Sequence, residues 1–437
     1  RGSTGSGQHM TARSLSDWLS YLEQLHPSAI DMGLDRARQV ALHIGLSRPA
    51  PRVITVTGTN GKGSTCAFIA SLLQAQGLKV GVYSSPHLVR YNERVQVQGV
   101  EATDEQLCEA FEVIEKARGD VSLTYFEMGT LAAFWLFEQA ALDAVVLEVG
   151  LGGRLDAVNL IDADMALVTS IGVDHAEWLG NTRESVAFEK AGIFREGRPA
   201  LCGDVDPPQP LLDQAKSLHC PLSLRGTDFD LSMGTTTWSW FGTDASGQRV
   251  ELLDLPLLDL PMQNAALALQ AYLLLGLPWQ EASIRQALSD TRVTGRLDRR
   301  AFDWQGKRLQ VLLDVGHNPH AAVFLAQRLH QRPVKGKRLA VFGLLNDKDL
   351  SGVLSALTAC FDSWAVAPLP TPRSRSEQEI AETLQNLGAV VTSYSSVALA
   401  LEAQCAHATT DDEIVLFGSF YCVAEALEWL AGASRRK

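Results

Sequence analysis

Two α/β units, each built on a mostly parallel sheet, are the architecture this sequence predicts, and three observations carry it. Short β-branched apolar runs alternate with longer helix-patterned stretches, the runs are nearly continuous, and several end on glycine or on a polar side chain. Strands covered by helices on both faces read as unbroken apolar runs, because neither side meets water. Ligands of such sheets belong at the carboxyl ends of the strands.

The opening "RGSTGSGQHM" (1–10) is rich in Gly and Ser with no apolar h-region, and is read as a vector remnant. "RVITVTG" (52–58) is the first strand of the sheet, followed by a turn and a helix from about Ser64 to Ala75, with Gly77 as its stop. "KVGVYSS" (79–85), "LDAVVLEVG" (142–150) and "ADMALVTSIG" (163–172) add strands. "MGTLAAFWLF" (128–137) lies between Glu127 and Glu138, well short of the roughly 20 residues of a membrane helix, and is expected to be a buried helix. From about 200 to 262, "GTTTWSWFG" and "LLDLPLLDLP" predict a β-rich elaboration whose prolines limit strand length. Helices return at "MQNAALALQAYLLLG" and "QEASIRQALSDTRV". A second α/β series follows, in "LQVLLDVG" (309–316), "KRLAVFGLL" (337–345), "SWAVAPL" (363–369) and "DEIVLFGS" (412–419). The boundary is placed near 297, giving units 11–297 and 298–437.

The chain has 437 residues, 46% of them hydrophobic, enough for two or three domains. A net charge of −12 excludes a general nucleic-acid or anionic-membrane surface, which needs clustered positive charge. Seven cysteines without a C-x-x-C pair point to neither a zinc ribbon nor a disulfide framework, and so to a reducing cytoplasm.

"VITVTGTNGKGSTCAF" (53–68) carries the first chemistry. A common P-loop has four residues between its first Gly and the Gly-Lys pair, followed at once by Ser or Thr. Here only Thr59 and Asn60 separate Gly58 from Gly61, and Gly63 stands between Lys62 and Ser64. Backbone N–H groups at a helix start still favour an anion, and Lys62 adds a charge for outer phosphates; the other reading is a tight turn with a surface lysine. The first unit is thus expected to be P-loop ATPase-like and the smaller second one Rossmann-like. A nucleotide triphosphate brings Mg2+, which wants oxygen ligands. Glu148 ends one strand as a metal-linked acid or as a cap, "YSSPHL" ends another on Ser84 and Ser85, and "VDHAEWLG" follows a third with Asp174 and His175.

"TVTGTNGKGSTC", "YSSPHLVRYNERVQVQG", "SLTYFEMGTLAAFWLF", "LEVGLGGRLDAVN", "VTSIGVDHAEWLG", "FEKAGIFR", "LDVGHNPHA" and "FGSF", in that order, resemble the bifunctional dihydrofolate synthase/folylpolyglutamate synthase family of the Mur ligase superfamily. The resemblance runs from about Trp18 to the C-terminus and is weakest over 204–255. It implies ATP bound by Gly58, Thr59, Asn60, Gly61, Lys62, Gly63 and Ser64, with Asn264, Arg296 and Asp314 as further nucleotide contacts and His317 helping to organise the cleft. It implies two Mg2+ ions, one at Ser85 and Glu148 and another at His175. Lys190, by composition an exposed helix lysine, matches a family lysine that is carbamylated by CO2, turning a cation into an oxygen-bearing anion suited to Mg2+.

For the pterin the family points to His26, to Thr124, Tyr125, Phe126 and Glu127, and to Leu155, Asp156 and Ala157. Aromatic rings could stack on the heterocycle while Glu127 or Asp156 accepts its amino protons; alternatively Phe126 is core and Glu127 an early-helix charge. For incoming glutamate the resemblance offers Lys348 and Ser419, although Lys348 also reads as a helix-start surface charge. The implied reaction joins L-glutamate to dihydropteroate, and to the glutamate tail of reduced folates, through an acyl phosphate. A monomer without nucleic-acid or membrane partners is expected. A chain-extending enzyme that does not use dihydropteroate is the nearer alternative. A GTPase switch is more remote, because "NDKD" (346–349) does not match its N-K-x-D motif.

Overall fold

The computed structural model describes residues 13–435; the stretch read as a vector remnant lies outside the described residues. Its first sheet has eight strands: β1 (Arg52–Thr57), β2 (Val80–Tyr83), β3 (Val95–Val97), β4 (Val100–Glu101), β5 (Ala144–Glu148), β6 (Met165–Val168), β7 (Ala200–Cys202) and β8 (Leu222–Leu224). Their spatial order is β4-β3-β2-β5-β1-β6-β7-β8. The six from β2 to β8 pair in parallel, and only β3 and β4 pair antiparallel at one edge. The central pair β1 and β5 is buried along almost its whole length, as the unbroken runs predict.

One face of this sheet is covered by Leu15–Gln24, Asp35–Ile44, Asp104–Arg118, Tyr125–Gln139 and Arg183–Ala191. The other is covered by Lys62–Ala75, Met262–Leu274 and Glu281–Asp290. Against that second layer sits a small antiparallel sheet of β9 (Phe229–Met233), β10 (Thr237–Thr243) and β11 (Arg249–Pro256), where the sequence predicts a β-rich elaboration. Trp238 and Trp240 alternate inward from it, and the Trp240 indole donates to the Ala266 carbonyl of the helix beneath at 3.1 Å.

The second unit is a six-stranded sheet: β12 (Asp298–Trp304), β13 (Lys307–Asp314), β14 (Arg338–Phe342), β15 (Ser363–Val366), β16 (Val391–Ser393) and β17 (Glu413–Phe417). The order is β12-β13-β17-β14-β15-β16, parallel except for the β12–β13 hairpin, with separate helix layers and cores on its two faces. Leu88, from the segment after β2, packs into one of these cores and touches Gly295, so the first unit reaches into the second.

Candidate active site

β1 has β5 on one side and β6 on the other, with β2 beyond β5. The phosphate-type loop, Glu148, Ser85 and the Asp174–His175 pair therefore leave the carboxyl ends of four adjacent strands. The helix after the loop begins at Lys62, with Gly61 as its N-cap at φ 86°. A Cβ on Gly61 would lie 2.5 Å from Asn264 Oδ1, so glycine lets the neighbouring helix meet the loop. Thr59 donates its hydroxyl to the Gly172 carbonyl at 3.0 Å and accepts the Gly172 N–H at 2.8 Å, and the Asn60 N–H donates to Ser170 Oγ at 2.9 Å. The loop is thereby pinned to the segment that follows β6.

Lys62 reaches across the end of β5 and donates to the carbonyls of Val149 at 3.2 Å and Gly150 at 3.4 Å. Glu148 beside it is buried; one oxygen accepts the Ser85 N–H at 2.8 Å, while the other lies 3.3 Å from where a Cβ on Gly63 would stand. Burial raises its pKa, against the pull of Lys62, Arg296 and Arg94. Ser85, and not Ser84, is the residue whose backbone meets Glu148, and its peptide bond to Pro86 is cis. Among the described residues no three His, Cys, Asp or Glu side chains converge as a metal cage. Mg2+ binds through one or two carboxylates, hydroxyls and substrate phosphates. A buried carboxylate with one oxygen turned to the loop fits such an ion.

Lys190 overturns its reading as an exposed helix lysine. It is 3% exposed, and burial, with Lys62 nearby, lowers its pKa to about 7. The "GLGGRL" segment covers its helix: Gly153 packs on the carbonyls of Glu189 and Lys190, and Arg154 forks onto Glu189 at 3.0 and 3.1 Å. His175 stands apart, half exposed at φ 51°, with Asp174 as its ion partner at 3.7 Å. Asp174 acts electrostatically on both Lys190 and His317.

The pterin set divides. Asp156 is buried, accepts N–H bonds from Leu151 at 2.9 Å and Val158 at 3.0 Å, and is raised by burial to about 6. Leu155 is half-buried and Ala157 buried next to it. The half-buried Phe126 packs on Gly150, where a Cβ would come within 2.7 Å of the ring. Glu127 lies in the first turn of its helix, in line with the early-helix reading: one oxygen caps Thr124 N–H at 2.8 Å and the other takes Arg36 at 2.9 Å, so this buried carboxylate is already paired. His26 is engaged likewise, with Ser122 at 2.6 Å and Asp31 at 2.9 Å.

Asp314 ends β13, and Ser419 and Lys348 follow β17 and β14; the three strands are adjacent in the second sheet. Asp314 is buried, accepts the N–H groups of Leu297 and Gly316 at 3.1 Å, and is raised by burial against the pull of Arg296. The Arg296 guanidinium lies 5.7 Å over Phe420 and also acts on Glu148, which puts the two sets of strand ends on one cleft. His317 is held by the Val315 carbonyl at 3.1 Å and lowered first by burial, then by Lys348. Ser419 accepts the Tyr421 N–H at 3.0 Å.

Sequence reasoning missed Arg94. It donates to His87 at 2.7 Å, lies 5.0 Å over Tyr91 and 5.6 Å over Tyr125, and acts on Glu148. The signal was the Arg of "YNER", a single 3-10 turn between the Ser85 strand and the edge hairpin.

A nucleotide-type loop on one parallel sheet, facing charged strand ends of a second across a cleft, defines an ATP-dependent ligase of the Mur type. The Mur ligase middle domain matches residues 56–201, and the Mur ligase glutamate ligase domain matches 295–420. The Escherichia coli K12 protein named dihydrofolate synthase/folylpolyglutamate synthase is 48% identical over 417 residues, covering 95% of this chain and 96% of its own. Escherichia coli FolC solved with DHPP and ADP superposes with a TM-score of 0.86 at 46% identity, over 98% of this chain and 99% of that one. A bifunctional folylpolyglutamate synthase/dihydrofolate synthase solved with Mn, AMPPNP and L-glutamate gives 0.83 at 44%, over 96% and 98%. The chain belongs to the dihydrofolate synthase/folylpolyglutamate synthase family.

Proposed function

We propose that this cleft joins L-glutamate to dihydropteroate and to the tail of reduced folates, the ATP-dependent ligation of its family, in the following way. A substrate carboxylate attacks the γ-phosphorus of ATP, releasing ADP and leaving an acyl phosphate; the α-amine of glutamate then attacks the acyl carbon, loses a proton and expels phosphate. Gly58 to Ser64 cradle the phosphates, Lys62 meets the transferring group as a cation, and Asn264, Arg296 and Asp314 complete the nucleotide site. Glu148 and the Ser85 hydroxyl would hold one Mg2+, and His175 with a Lys190 carbamate a second; bound Mg2+ supplies charge neutralisation on the phosphoryl oxygens. The Lys190 amine, neutral above about pH 7, can add to CO2 and lose a proton, which an ammonium cannot do.

Phe126 and Tyr125 border the pterin and Asp156 accepts from its amino group, His317 helps to organise the nucleotide cleft, and Lys348 and Ser419 receive glutamate. The reaction runs in a monomer in the cytosol, a setting suited to seven free cysteines; no helix among the described residues is long and apolar enough to cross a membrane. The observation that carries this reading is Glu148, a buried carboxylate between Lys62 and Ser85 with one oxygen committed to the protein and one facing the loop.

The test is ADP release by the purified chain with ATP, Mg2+ and glutamate, comparing dihydropteroate with a reduced folate as acceptor. Release should require an acceptor and glutamate together, and both acceptors should give product. No product from dihydropteroate would leave chain extension alone. Glu148→Gln should cut kcat about 100-fold or more, the scale of losing one preorganised electrostatic contact.

A further inference from the structure

On the face of the first sheet away from the pterin residues, a cavity of about 230 Å3 opens at the junction of the two units. Phe68, Leu258 and Leu288 form an apolar wall, and Asp259, Ser289, Arg292 and Arg332 a polar one. Phe68 belongs to the helix that starts at Lys62, and Arg332 directly follows a helix of the second unit, Pro319–Gln331. The charges here do not balance. Arg299, Arg328 and Arg332 share Asp259, and Arg299 and Arg338 share Glu413, so four arginines meet two carboxylates before Arg292 is added. Among the described residues Arg292 donates only to the carbonyls of Ser289 at 2.7 Å and Thr291 at 2.9 Å. Arg328 behind them is 2% exposed, its Nε has no partner among the described residues, and burial with Arg332 nearby lowers it to about 10. Partly buried guanidiniums in excess, in a chain of net charge −12, are a local demand for an anion.

We propose that this cavity binds a small organic anion, a carboxylate or phosphate head on an apolar body. The head meets Arg292 and Arg332 in the fork geometry that guanidinium offers to either group, and the body lies against Phe68, Leu258 and Leu288. The occupant touches the nucleotide-loop helix and the second unit together, apart from the reaction cleft.

Calorimetric titration of the full chain, saturated with ADP and Mg2+ to fill the nucleotide site, tests this without turnover, and so separately from the proposed reaction. The probes are phenylphosphate, benzoate and inorganic phosphate. Saturable binding of phenylphosphate or benzoate is expected, at least tenfold tighter than inorganic phosphate. Arg292→Gln, which removes the exposed charge, and Ser289→Phe, which fills the space from its rim, should each weaken it tenfold or more. Absence of saturable binding by both aromatic anions, equal binding of inorganic phosphate, or affinity unchanged in both variants overturns the proposal.

Discussion

Lys190 is a helix lysine whose amine sits where water does not reach, and its titration follows from that. Between its folded pKa of about 7 and the usual 10.5 the unfolded chain holds the extra proton, so its contribution to stability rises with pH across that window and the penalty is full below about 7. In CO2-free buffer, thermal unfolding of Lys190→Met should show the largest gain over the parent at pH 6 and none near pH 11, with turnover lost. Asp156 runs the other way. Its folded pKa of about 6 exceeds 3.8, so the folded state holds the extra proton between them and the penalty of ionising it is full above about pH 6. If its ionised form accepts from the pterin, kcat/KM for dihydropteroate should fall as pH drops below about 6, and Asp156→Asn should abolish that limb while leaving ADP affinity, read by calorimetry, within about twofold. The sequence could not announce either environment. Lys190 lies near the end of a charged-looking helix, and the "GLGGRL" segment some forty positions earlier packs on the backbone of that helix end.

At the scale of elements, the strand ends were legible and their partners were not. Buried parallel strands leave unbroken apolar runs, so Glu148 stood out at the end of one. The capping pair Thr124–Glu127 was also within reach, since Thr followed three places later by Glu before an apolar run is a helix-start pattern. What local pattern does not report is the other partner of Glu127, Arg36, 91 residues away. The loop's glycines make a sharper demand. Gly61→Ala must place a Cβ at φ 86° against the Asn264 side chain. A loss of about 1–2 kcal/mol is expected from the left-handed backbone alone, with a raised KM for ATP because Asn264 is displaced; an unchanged KM alongside a lowered Tm would confine the effect to folding.

Across the whole molecule, the two units are joined by a carboxylate with more partners than it can neutralise. Asp259 precedes the helix bearing Asn264 and meets Arg299, Arg328 and Arg332 of the second unit at 3.0, 3.4 and 3.0 Å. Removing it strands the fully buried Arg328. Asp259→Ala should cost about 2–3 kcal/mol in urea unfolding, somewhat below the 3–5 of a wholly buried pair because Asp259 retains some contact with water. Arg328→Met in the same chain should restore part of it, and strictly additive losses would mean that the two do not interact. The two-sheet plan was readable from the alternation of strands and helices, but this junction was not, since its ion pairs link residues 40 to 114 positions apart.

The small antiparallel sheet has a practical use. Its turn at Asp244, where one carboxylate oxygen gathers the N–H groups of Ser246 and Gln248 and the Ser246 hydroxyl, protrudes into solvent from an edge that contributes no residue to the cleft. Because that knot of bonds closes on itself, a fluorophore or affinity handle attached at Ala245 would hang from the protein without loosening what it is meant to report on.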